Sequence, residues 1–78
     1  MENRDRELIM KFIKSDIQLR KLYENHRWLD HRIDKLSNRR FLTTGEQVAY
    51  KRLKKEKLLG VDRMLSIVRA REAEQVAA

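Results

Sequence analysis

Ser37-Asn38-Arg39-Arg40-Phe41-Leu42-Thr43-Thr44-Gly45 is the stretch on which the fold of this chain turns. It is the longest interruption in an otherwise helical pattern. It holds one of the two glycines, and its Ser, Asn and Thr residues favour turns and caps over helix interiors. Thr43 and Glu46 have the spacing of a capping box, and Thr44 with Gln47 repeats it one residue later. Either threonine offers an oxygen to a backbone N–H that the first turn of a helix leaves unpartnered. A helix start is expected at one of the two. A connection of about five or six residues between helices favours antiparallel neighbours.

On the upstream side, Phe12, Leu19, Leu22, His26, Leu29, Ile33 and Leu36 form a heptad seam, stepping by threes and fours from Leu19 onward. On the downstream side the apolar face is Tyr50, Leu53, Lys57 or Leu58, Val61, Met64, Leu65 and Val68. Doubling the chain back about Phe41 brings Ile33 to Tyr50, Leu29 to Leu53, Leu22 to Leu58 or Val61, and Leu19 to Met64 or Leu65. The expected fold is all-α: an antiparallel two-helix hairpin with a coiled-coil-like seam, in a single domain over residues 1–78.

A softer break is expected at Ser15-Asp16. Ser15 has capping-box spacing with Gln18, and Asp16 places negative charge where the helix dipole favours it. The alternative is one continuous helix through both residues. With the break, a short N-terminal helix covers about 3–14, the next helix about 16–38, the turn about 39–44 and the last helix about 44–73, before a frayed tail.

The 78 residues carry 19 Lys and Arg against 12 Asp and Glu, a net charge of +7, and no cysteine or proline. The missing cysteines exclude disulfides, thiol catalysis and Cys-based zinc sites. No apolar run approaches the roughly 20 residues of a membrane span. The first residues, Met1 to Glu7, lack the apolar centre of a secretory signal. A soluble, cytoplasmic protein is expected.

Two helices in one layer leave apolar side chains wet. Met10, Ile13, Ile17 and Trp28 share a rough second stripe, while Val48 and Leu59 point away from the seam on the second helix. These first four are the candidates for a protein interface, through self-association into a helical bundle or with a helical protein partner. The plainer reading is that they are ordinary exposed apolar residues.

The polar residues suggest no chemistry. His26 and His31 are five apart, off the i, i+4 spacing with which one helix presents two metal ligands. His26 sits on the seam, and His31 reads as surface. Asp30 and Asp34 form an i, i+4 carboxylate pair among Arg27, Arg32 and Lys35, which suits a structural role. Asp30 is placed to pair across the hairpin with Lys54 or Lys57 and so hold its register. No Ser stands with a His and a carboxylate in a catalytic arrangement, and isolated glycines make no phosphate-cradling loop. No catalytic, cofactor-binding or metal-binding residue is expected, nor a small-molecule substrate. The chain is not expected to be an enzyme.

Residues 39–57 concentrate positive charge, with Arg39, Arg40, Lys51, Arg52, Lys54, Lys55 and Lys57 against Glu46 and Glu56. A solvated helix face accounts for such a run. The functional alternative is a nucleic-acid- or ribosome-associated protein in which Arg39, Arg40, Lys51, Arg52, Lys54 and Lys55 contact phosphates. Only Phe41 and Tyr50 interleave with those cations as aromatic residues, and no helix-turn-helix signature is present. No membrane contact is expected.

Leu22-x-x-x-His26-x-x-Leu29-Asp30-x-x-Ile33 is followed, past the turn, by Arg52-Leu53-Lys54-Lys55-Glu56-Lys57-Leu58-x-x-x-Asp62-x-Met64-Leu65. This ordered pair of motifs resembles the YdcH-like family of short bacterial proteins, over roughly residues 8–68. The resemblance implies a small helical hairpin or coiled coil of unassigned biochemical function, with no catalytic residues to transfer. The chain departs from the family pattern at Asp16-Ile17, where Asn-Pro is usual, and at Gly60-Val61, where Leu-Lys is usual.

Overall fold

The computed structural model describes residues 3–77, which form three helices: α1 (Asn3–Phe12), α2 (Ile17–Ser37) and α3 (Thr44–Ala77). No strand occurs among the described residues. Met1, Glu2 and Ala78, part of the domain expected over 1–78, lie outside them. The fold is all-α and elongated, 53 × 20 × 15 Å.

The break near Ser15 is real, but Ser15 does not cap the helix that follows. Its backbone N–H and its hydroxyl both donate to the Phe12 carbonyl, each at 3.1 Å, and so close the end of α1. Asp16 is the N-cap of α2. Its backbone is extended (φ −130°, ψ 108°) and its carboxylate accepts from the Leu19 N–H at 3.0 Å. A carboxylate at this position also meets the positive end of the helix dipole, which a hydroxyl does not exploit.

At the far end of α2 the Asn38 N–H donates to the Asp34 carbonyl at 3.0 Å and the Arg39 N–H to the Leu36 carbonyl at 3.2 Å. The next helix opens on Thr43 rather than Thr44 as the capping residue. The Glu46 N–H donates to Thr43 Oγ1 and the Thr43 N–H donates to Glu46 Oε1, both at 3.1 Å. These are the two reciprocal bonds of a capping box. No described residue has a positive φ, so the connection from α2 to α3 uses no left-handed glycine, and Gly45 lies in the first turn of α3.

The core has two parts. Leu29, Ile33 and Leu53 are buried together, with Leu36 and Tyr50 packed against them. Further along, Ile9, Phe12, Leu19, Met64 and Val68 are buried together, flanked by Leu22, Tyr23, Val61 and Leu65 among others. Late residues of α2 thus meet early residues of α3, and early residues of α2 meet later ones.

Of the two residues left open on the α3 face, Lys57 takes the place at its edge and Leu58 is 62% exposed. Two details differ from expectation. Ile9, absent from the expected seam, is fully buried because α1 packs its Ile9 and Phe12 against Met64 and Val68 of α3. The final helix runs to Ala77, past the expected end near residue 73. Its last turns gain packing from α1 at Val68, and the Arg71 guanidinium bonds Asp16.

Candidate functional site: two grooves flanking the helix pair

Two polar groups, one at Asp16 and one around Asp30, tie the frame together. The Asp16 carboxylate is nine-tenths buried and accepts from Arg71 Nε at 3.2 Å and Nη2 at 3.1 Å, besides capping α2. The Leu19 N–H holds its carboxyl below the usual carboxylate range. Burial opposes that shift and Arg71 reinforces it.

The second group is an Asp30-centred cluster. Asp30 meets His26 Nε2 at 3.3 Å and pairs with Lys57 across the helices. Of the two lysines expected near Asp30, Lys57 makes the contact, while Lys54 instead lies over the Tyr50 ring at 4.9 Å. His26 is buried and stacks on Tyr23 with ring centroids 6.3 Å apart; its Nδ1 has no hydrogen-bond partner among the described residues. Burial pushes the His26 pKa down; Asp30 pulls it up and the Lys57 charge pushes it down again.

Two grooves lie beside the α2–α3 contact. One, about 630 Å³, is lined by Trp28, Arg32, Lys35 and Leu36 of α2, with Glu46 and Ala49 of α3. The other, about 900 Å³, is lined by Ile33, Lys54, Lys57, Leu58 and Val61, with Asp5 of α1 and Arg69. Ala49 and Leu58 are nine residues apart on α3, about half a turn out of phase at roughly 100° per residue, so the grooves open on opposite sides.

The four interface candidates are spread over α1, the break after it and α2. Met10 is 39%, Ile17 68% and Trp28 51% exposed, and Ile13 sits half-buried in the break between α1 and α2. Trp28 follows Ile17 by three turns of α2, roughly 16 Å along its axis. Of the four, only Trp28 lines either groove. Of the basic candidates, Arg39 pairs with Glu46 and Lys54 covers Tyr50. Arg40, Lys51, Arg52 and Lys55 are exposed.

Sequence reasoning missed Ile9, the Asp16–Arg71 bond and the partnership of Trp28 with Leu36 and Ala49. Ile9 and Phe12 stand at i, i+3, a spacing too short to show by itself which surface covers them. No group of three or more His, Asp or Glu among the described residues is arranged to hold a metal ion, and none of these helices is long and apolar enough to cross a membrane.

Fold and surface define a small all-α protein whose described residues carry open grooves and concentrated positive charge. Residues 19–67 match the family described as protein of unknown function, DUF465. The chain belongs to that family of small bacterial proteins, which includes the YdcH-like proteins its two motifs resemble. Neither a curated protein nor a solved structure matches the chain.

Proposed function

We propose that this chain is a non-enzymatic antiparallel helical hairpin with a coiled-coil-like seam, working in the bacterial cytoplasm through protein–protein contacts. The observation that supports this most directly is the partly filled groove on the α1 side. α1 seats Ile9 and Phe12 against α3 at Met64 and Val68, but Asp5 reaches only the margin of the open stretch at Ile33, Leu58 and Val61. Leu58 is a large apolar side chain left 62% exposed beside a half-buried valine. Apolar surface of this kind, rimmed by Lys54 and Lys57, marks a contact site.

The proposed occupant is a helix of a second copy, which extends the row that the chain's own α1 begins and completes a helical bundle. Sedimentation velocity over a range of concentrations tests this. A dimer or larger species that Leu58→Asp dissociates, with helical circular dichroism unchanged, is the expected result. A monomer at high micromolar concentration overturns self-association.

A further inference from the structure

Residues 27–57 hold ten Lys and Arg against four Asp and Glu, while the rest of the chain holds nine against eight. Packing of Leu29 and Ile33 on Leu53 gathers that charge at one end of the rod. Arg27, Arg32 and Lys35, which precede the basic run in sequence, thereby join it in space. Two large aromatic side chains are exposed at the same end, Trp28 at 51% and Phe41 at 83%.

The groove at Trp28 combines both features. The Arg32 guanidinium lies 4.9 Å from the Trp28 ring centroid, and Lys35 lines the same groove. Its one carboxylate, Glu46, is already engaged by Arg39. Arg32 and Lys35 make no ion pair among the described residues. Cations without carboxylate partners, set around one broad aromatic platform, suit a ligand that alternates anionic groups with flat rings.

We propose that this groove binds single-stranded nucleic acid: the Arg32 guanidinium moves off the Trp28 ring onto a phosphate, a base stacks in its place, and Lys35 holds the next phosphate. A stacking platform needs an unpaired base, which a duplex keeps inside its helix. An acidic amphipathic helix is the competing ligand, but it requires a row of apolar seats at i, i+3, i+4 and i+7. Beyond Trp28 this groove supplies only half-buried Leu36 and the small, exposed Ala49. The site is independent of the Leu58 groove, so either can fail without the other.

Trp28 is the chain's single tryptophan and reports on its own site. Titration of the whole protein at low salt with an oligothymidine strand of roughly a dozen nucleotides is expected to quench its fluorescence, with affinity falling steeply as salt rises. With a labelled strand, Trp28→Ala is expected to weaken binding about ten-fold, and Trp28→Phe to recover part of that loss, since a phenyl ring still stacks. Binding to duplex of the same length should change less than about two-fold in Trp28→Ala, because duplex contacts are to the backbone. The Arg32→Ala/Lys35→Ala double variant is expected to lower the logarithmic salt slope for the single strand by about 1.4, two phosphate contacts' worth. If Trp28→Ala loses its helical circular dichroism, the Trp28→Phe affinity and the salt slope carry the test. An absence of quenching overturns the proposal, as does an unchanged slope in the double variant. So does a polyglutamate peptide that quenches as strongly as the strand, which would assign the groove to an acidic protein segment.

Discussion

Asp16 carries two jobs with one carboxylate, capping α2 at Leu19 and accepting both bonds from Arg71. Asp16→Ala removes the cap and leaves Arg71 unpaired, and is expected to cost about 2 kcal/mol in urea denaturation. Asp16→Asn keeps an oxygen for the Leu19 N–H and should cost less. The lowered folded pKa of Asp16 means that its stabilisation is present above the ordinary carboxylate value of 3.8 and is lost as pH falls through the lowered value. His26 acts in a higher window. Its folded pKa lies below the ordinary 6.5, so the unfolded chain takes up a proton first. Stability is therefore expected to be complete above pH 6.5, to decline as pH drops below it, and to level off beneath the folded value. Urea midpoints measured across that range check this; in His26→Gln the decline in that range should be absent.

Among the elements, α3 is the one whose start and interior are most open to test. Thr43→Ala removes one arm of the reciprocal cap with Glu46 and is expected to destabilise the fold by about 1 kcal/mol. Gly60 sits inside α3, and a Cβ built there meets nothing within 4 Å. Gly60→Ala should accordingly stabilise by about 0.5–1 kcal/mol, through the helix preference of alanine with no steric penalty. Thermal melting followed by circular dichroism reads both substitutions. The opening of α3 was legible to within one residue, because a capping box is a local signal spanning four positions. At α2 the same spacing pointed to Ser15, one residue early. Two adjacent acceptors were available there, and the longer-range tie to Arg71 favoured Asp16.

For the molecule as a whole, the contact between α2 and α3 is the element on which both grooves depend. Leu29 is buried against Leu53, so Leu29→Asp is expected to abolish most of the helical circular dichroism, whereas Leu59→Asp, at a side chain 49% exposed, should leave it intact. The Asp30–Lys57 pair joins α2 to α3. Both groups are partly exposed, and a double-mutant cycle should return a coupling of about 0–1 kcal/mol.

The buried residues along α2 and at Leu53, Met64 and Val68 could be read from the chain alone, since apolar periodicity, caps and turn residues act within a few positions of one another. That information determined three things: an all-helical chain, an interruption between Ser37 and Thr44, and the face of each long helix that is buried. It could not show where α1 travels after the break, because the direction of a chain leaving residues 13–16 depends on contacts made far along the sequence. Only the tertiary structure decided that Ile9 is core, that Asp16 bonds a residue 55 positions away, and that Trp28 shares a groove with Ala49. Each of these depends on the relative placement of whole helices, which is settled by how all their apolar faces can be covered at once rather than by any local run of residues.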